Sequence, residues 1–409
     1  MGTLDDSVPA CFNKCFPNTS FIPHNNFIPQ TMEATRKPKD GIMATQVLPA
    51  HTILSLPAAR QEQSPLFTVL PAELRSEIFA LVLTDYPDPS PDTRYAAETC
   101  YTRPSYFAPR KSDIRLLRTC RAVYQEAWFM PFILREQSHW LTHRDRAPPE
   151  YNYIRQLENL QSTLARISQQ HGTQHVETHG LRIFAQMWAL EEGRLGALLR
   201  TVPLLHPRSL TLTIRHADWW WWESDEPLRF EGNWIWEMRS CLPPSVREFR
   251  IELESVKRKK EQVDSIAKQM AERWFFKRMD GVALFADASG AANTVDTWTG
   301  SSTWNDETWT RDETKPGEID YYILSVVFRP RHALERRGGH VSPQAARVGE
   351  QNHPFIIPQM RLRWIRPQPA PRVATGENES EEDEDDDDDD EDDEDEEGED
   401  GHDDHEEHV

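Results

Sequence analysis

Residues 377–407 carry 25 Asp and Glu and not one Lys or Arg, and this run constrains the rest of the chain. Charges at that density repel one another, and the run has almost nothing apolar to bury, so it cannot join a core. A disordered acidic tail is expected over 367–409. Setting the run aside changes the electrostatic picture. The 409 residues have a net charge of −22, but taking the 25 tail acids from 68 leaves 43 against 46 Lys and Arg. The folded part is therefore near neutral, which makes no case for broad nucleic-acid binding. The tail itself reads in two ways: a docking arm for basic partners such as histones or ribosomal proteins, or a device for solubility and spacing.

The opposite end is also poor in structure signals. Residues 1–62 are rich in Pro, Asn, Thr and Gln without a sustained period, and are expected to be disordered apart from a short docked piece at Val47–Leu56. Cys11 and Cys15 have no second pair, so no metal is assigned to them. Five scattered cysteines fit a reducing compartment. Met1 to Phe16 has no basic start and no apolar run, unlike a secretory signal. No stretch approaches the ~20 apolar residues that a membrane span needs. The expectation is a soluble intracellular protein of cytoplasm or nucleus, with no membrane partner.

Between these ends, two helical stretches stand out. Pro71 suits a first helical position, and Leu70, Leu74, Ile78, Leu81 and Val82 recur at helical spacing as one apolar stripe. Asp85, Pro87 and Pro89 end it. Ser112 or Asp113 can cap a second helix, whose apolar face is Ile114, Leu117, Cys120, Tyr124 and Ala127, with Pro131 as its stop. Neither helix can bury its stripe alone, so the two are expected to pair. The pattern Leu-Pro-x-Glu-Leu-Arg-x-x-Ile-Phe from Leu70, followed by Leu-Leu-Arg-Thr-Cys-Arg-x-x-Tyr-x-Glu-Ala from Leu116, resembles the F-box-like domain of uncharacterised fungal proteins. The resemblance covers about 66–135. It implies a helical module that docks on the Skp-type adaptor of a cullin ubiquitin ligase, and it names no client. Leu70, Pro71, Leu74, Ile78, Leu117, Cys120 and Tyr124 match the two motif stripes, some facing the adaptor and others the module's own core. A compact F-box lacks the Pro- and Tyr-rich insert found here at 85–112.

The second half of the chain reads differently. Ser138–His143 alternates like a short strand, and 151–170 has helical spacing through Ile154, Leu157, Leu160, Leu164 and Ile167. His175–Ile183 reads as extended, and Phe184–Val202 as one further helix. Leu210, Leu212 and Ile214 alternate with Thr211, Thr213 and Arg215, and Phe249, Ile251 and Leu253 with Glu248, Arg250 and Glu252, the pattern of half-buried strands. Val263, Ile266, Met270 and Trp274 mark a helix, Val282–Phe285 a short strand, and Tyr321–Phe328 a central strand apolar on both faces. Met360–Ile365 reads as an edge strand. The fold expected is α+β: F-box-like helices over 63–135 lead into a mixed β-sheet with flanking helices over 136–366. Residues 287–318, rich in Gly, Ser, Thr, Asp and Trp, are expected to form a flexible flap or disordered loop.

Four adjacent tryptophans, Trp219, Trp220, Trp221 and Trp222, form the least ordinary motif. In an extended chain they would alternate faces and could not all enter one core. They read either as a local aromatic cluster pinning the 287–318 flap or as a recognition surface for a protein client, since Trp is enriched in binding hot spots. His171, His175 and His179 are four apart, but Gly172 and Gly180 argue against a helical metal site. Lys257-Arg258-Lys259-Lys260 reads as a solvated face or a nuclear-import signal. No nucleophile elbow, phosphate loop, dinucleotide turn or zinc-protease pair is present, so neither an enzyme nor a cofactor is expected. The functional expectation is a protein-interaction adaptor, possibly a substrate receptor of a cullin ligase. The alternative is an acidic-tailed scaffold or chaperone-like protein for basic nuclear partners.

Overall fold

A computed structural model describes residues 50–350 and 361–364. Of the disorder expected over 1–62 and in the acidic tail, residues 1–49 and the tail lie outside the described residues, as do Cys11 and Cys15. Residues 50–58 belong to a unit of their own, with a short helix at Ala50–Ser55 inside the piece expected at Val47–Leu56. From Ala59 onward the chain forms the other unit.

That larger unit is α+β. Helix α1 (Ala72–Leu83) is followed by the 85–112 insert, then by α2 (Arg121–Ala127) and α3 (Met130–Leu134). The second motif half is thus not one helix. Leu116–Arg118 is a single 3-10 turn, and Cys120 adopts an extended conformation that caps α2. Pro131 sits in the first turn of α3 rather than ending a helix, because its missing N–H costs nothing there.

An eight-stranded sheet follows. Strand β1 (Glu136–Leu141) runs into helix α4 (Tyr153–His171) and then β2 (Val176–Ala185). Helices α5 (Met187–Glu191) and α6 (Arg194–Thr201) lead to β3 (Leu205–Ile214), and a long connection to β4 (Glu248–Val256). Gly193, with φ of 71°, turns the single helix expected over Phe184–Val202 into two short ones. Helix α7 (Lys260–Arg273) precedes β5 (Phe275–Lys277), β6 (Ala283–Phe285), β7 (Thr294–Ser301) and β8 (Glu318–Pro330); helix α8 (Pro343–Glu350) comes last. The strand order is β1-β2-β3-β4-β8-β6-β5, and β7 pairs with β8 along the stretch next to β6. The first three pairings are parallel and the others antiparallel, so the sheet is mixed. Leu362–Arg363 does pair, but with Arg229–Phe230 and apart from this sheet.

Register explains the core. Leu181, Leu210, Phe249 and Phe328 lie side by side across four strands, and Ile183, Leu212, Ile251 and Val326 form the next row. All eight are buried together with Leu160, Leu164 and Ile167 of α4, Leu195 and Leu198 of α6, and Val263, Ile266 and Met270 of α7. Each such side chain contributes about 1.5–3 kcal/mol when fully buried.

Residues 287–318 are not a structureless flap. All eight residues of β7 pair in unbroken register with β8, and Thr303–Trp304 pairs with Glu307–Thr308 as a tight hairpin. Alternating Thr and Trp can fill a pleated edge, and the surrounding Gly, Ser and Asp supply its turns.

Candidate functional site

Helix α1 has two apolar stripes, and the protein buries the one not expected. Phe79 and Leu83, four residues apart, are wholly buried against Leu117, Val123, Ala127 and Met130. The predicted stripe faces outward: Leu74 is 46% exposed, Ile78 40%, Leu81 80% and Val82 46%, and Val69 just before the helix is 72% exposed. At about 100° per residue, Leu74, Ile78, Leu81 and Val82 share one face. Spacing identifies both stripes, but only the partner helices choose between them, and the larger Phe79 wins that place.

Arg75 fixes this helix to its neighbours. Its Nε donates to Glu126 Oε1 of α2 at 3.0 Å, its Nη1 donates to the Leu70 carbonyl at 2.8 Å, and its guanidinium lies over the Phe67 ring. Among the other motif residues, Pro71 is exposed and precedes the helix as its cap rather than beginning it. Leu70, Cys120 and Tyr124 are half-buried, and Leu117 is buried in the module's own cluster. Leu117 therefore packs inward; of the motif positions, Pro71, Leu74 and Ile78 are exposed to solvent.

The 85–112 insert has a defined role. Tyr86–Pro87 pairs with Arg110–Lys111 at its base, where Asp85 is bonded to Arg110 and Lys111 donates to Asp88 at 2.6 Å. Its body lies on the polar face of the sheet. Tyr106 packs edge-on against Trp140 and Phe184, and Tyr101 against Trp140. Arg103, 4% exposed, approaches Glu252 at 3.5 Å and Glu254 at 3.6 Å. Arg215 donates through Nη1 to the carbonyls of Cys100 and Arg146, at 3.1 and 3.0 Å, while gripping Asp218 through Nε and Nη2.

The same cover corrects the expectation of half-buried strands. Thr211, Thr213 and Glu252 alternate with the core residues as predicted, yet they are buried too. Arg182 Nη1 donates to Glu252 Oε2 at 2.7 Å and Thr213 Oγ1 donates to the same oxygen at 2.9 Å. Burial pushes the Glu252 carboxyl up, but Arg182 and Arg103 pull it below its ordinary value. A cleft of about 280 Å³ remains open where the insert, through Arg103–Ser105, meets Glu252, Ser325 and the start of β7.

The tryptophan run is a turn rather than an extended segment, with Trp221 at φ of 55°. Trp219 and Trp222 are buried: Trp219 Nε1 donates to the Glu254 carbonyl at 2.8 Å, and Trp222 packs on Trp304 and Trp309. Trp222 consequently pins the 287–318 segment, whereas Trp219 packs inward on Phe230; neither ring is exposed. Trp220, half-buried, donates to Glu191 Oε1 at 2.6 Å, and Trp221 is half-buried beside it.

The basic run is paired rather than merely solvated. Arg258 bonds both Asp225 and Asp312, Lys259 is buried with its Nζ 2.8 Å from Asp225, Lys257 lies 3.6 Å from Asp320, and Lys260 contacts Asp264. Asp312 is buried and also accepts from Arg311 at 3.0 Å. Burial raises its carboxyl, and the neighbouring His216 with the Arg311 and Arg258 guanidiniums more than reverse that, holding it well below the usual range. His216 Nε2 is 3.8 Å from Asp312, beyond hydrogen-bond reach, and burial lowers the His216 pKa. His171 ends α4 and His175 stacks on His206. Among the described residues no group of three or more His, Cys, Asp and Glu could hold a metal, and no helix is long and apolar enough to cross a membrane.

Residue periodicity could not have found Arg103, Glu252 or Asp312. One signal was present: Glu248, Glu252 and Glu254 alternate with apolar residues on a strand read as half-buried, and any of them that the fold covers needs a cation.

Comparison with protein-family models, with curated proteins and with solved structures finds no match to this chain.

Proposed function

We propose that this protein is an interaction adaptor whose α1 face docks on a partner, with a Skp-type adaptor of a cullin ubiquitin ligase as the partner that the motif resemblance implies. One observation carries the reading: Val69, Leu74, Ile78, Leu81 and Val82 are large apolar residues left in solvent along one short stretch. Single exposed apolar residues are ordinary, but a contiguous set marks an interaction site. Its layout, with anchors at i, i+4 and i+7, suits helix-to-groove recognition. The insert does not oppose this reading, because it leaves α1 toward the sheet and folds against Trp140 and Phe184.

The second reading, an acidic-tailed scaffold for basic nuclear partners, rests on the 25 acids of residues 377–407. One experiment separates the two. The full chain, its Leu74→Asp variant and a chain ending at residue 376 are each mixed with purified Skp-type adaptor and with core histones. The adaptor reading expects adaptor capture by the full and shortened chains and at least tenfold weaker capture by Leu74→Asp. Since Leu74 is half in solvent, circular dichroism should show that variant folded. No adaptor capture by the full chain, together with histone capture that the shortened chain loses, would overturn the adaptor reading in favour of the scaffold.

A further inference from the structure

The sheet has three ends, and they are protected unequally. At β1 the edge is capped: the Trp140 backbone N–H donates to the Tyr151 hydroxyl at 3.1 Å. At β5 the strand is only three residues long and packs against α8 and the short helix Ile235–Met238. Strand β7 is eight residues long, pairs with β8 on one side and pairs with no described strand on the other. Thr294 to Thr297 are all exposed, and Val295 is 58% exposed.

The hydrogen bonds of β7 identify which groups face outward. The Thr297 N–H donates to its neighbour's carboxylate, Asp296 Oδ1, at 2.8 Å, and so does not serve the ladder with β8. Antiparallel pairing alternates, so Val295, Thr297, Thr299 and Ser301 present their main-chain groups to the open edge. Natural edges are usually blunted by Lys, Pro, a bulge or a covering segment. Here the register with β8 is unbroken and the strand has neither Lys nor Pro; the charge it carries, Asp296, occupies the Thr297 N–H, a bond that pairing at this edge exchanges for a partner carbonyl.

We propose that β7 is where two copies of this chain pair, antiparallel about a two-fold axis through Thr297. The strand is self-complementary in that register. Thr297 meets Thr297, Asp296 meets Trp298, Val295 meets Thr299 and Thr294 meets Gly300. No like charges oppose one another, and Thr–Thr is a favourable cross-strand pair. Shifting the axis by one residue, to Asp296, would set two carboxylates face to face. A two-fold arrangement also removes both open edges at once, which no one-sided partner does. This proposal is independent of the docking role of α1.

The test uses the full-length chain in analytical ultracentrifugation from about 1 to 200 µM, a range suited to a weak edge contact. The unaltered protein is expected to shift from monomer to dimer with concentration. Thr297→Glu and Thr297→Lys each place like charges opposite one another and should each stay monomeric. Position 297 is exposed, so both variants should keep the parent's circular dichroism and melting temperature. Mixed in equal amounts, they should form a dimer again, because Glu then faces Lys. A parent protein that stays monomeric throughout overturns the proposal, as does a dimer that persists in both single variants. Failure of the mixture to recover a dimer removes the two-fold axis at Thr297.

Discussion

The outward face of α1 and the polar face of the sheet invert the usual arrangement in opposite senses. On α1, Leu74, Ile78, Leu81 and Val82 stand in solvent. On the sheet, Arg103, Glu252, Glu254 and Thr213 are buried. The difference lies in how each is compensated. The buried charges have partners: Arg182 and Thr213 bond Glu252, and Arg103 faces both Glu252 and Glu254. Opposite charges face one another there and hold the insert on the sheet, although Arg103 Nε and Nη1 find no hydrogen-bond partner among the described residues. The exposed apolar face has no such compensation among the described residues. A feature that the fold explains is weak evidence of function, and one that it leaves unexplained is stronger.

That contrast can be attacked from several sides. Phe79→Ala should produce the largest change, a loss of about 3–5 kcal/mol in urea unfolding followed by circular dichroism, since it empties the side of α1 that faces Val123 and Met130. A loss no larger than that of an exposed position would mean that the two faces of α1 have been assigned the wrong way round. Arg103→Ala should cost about 3 kcal/mol by removing the cation that pairs with buried Glu254 and Glu252. It should also expose the insert to protease between residues 88 and 109. Intact resistance in that variant would show that the tyrosines alone hold the insert.

The smallest effect expected is one of pH. Asp312 has a carboxyl depressed below its ordinary value of 3.8, so its protonation is more costly in the folded chain than in the unfolded one. Its contribution is fully present above that value and declines as pH falls below it toward the depressed folded value. Unfolding midpoints measured between about pH 6 and pH 3 should therefore fall with acid, and less steeply in Asp312→Asn than in the parent. Parallel curves would remove Asp312 from the acid response.

Much of the architecture was legible beforehand. The strands around Leu210–Ile214, Phe249–Leu253 and Tyr321–Phe328 were readable because alternation is a local property of a pleated chain. Helices α4 and α7 were readable from 3.6-residue spacing over several turns. The errors fall where local signals are ambiguous. Phe184–Val202 looked like one helix because one glycine in a helical pattern does not announce a left-handed turn, yet Gly193 makes one. Residues 287–318 looked unstructured because Gly, Ser and Thr suit turns, and their strand is recognisable only beside β8.

For the candidate site the division is sharper. The sequence by itself determined that α1 is a helix with an apolar stripe through Leu74, Ile78, Leu81 and Val82. It also determined that strands bearing Glu252 and Arg182 alternate between apolar and charged residues. Only the tertiary structure decided that Phe79 turns inward and Leu81 outward, and that Trp222 joins Trp304 and Trp309 rather than a surface. It also decided that the insert spans the sheet to set Arg103 against glutamates far along the chain. The physical reason is that periodicity fixes which residues share a face, a matter of neighbours along the chain. Which face meets protein and which meets water depends on the elements that happen to pack there.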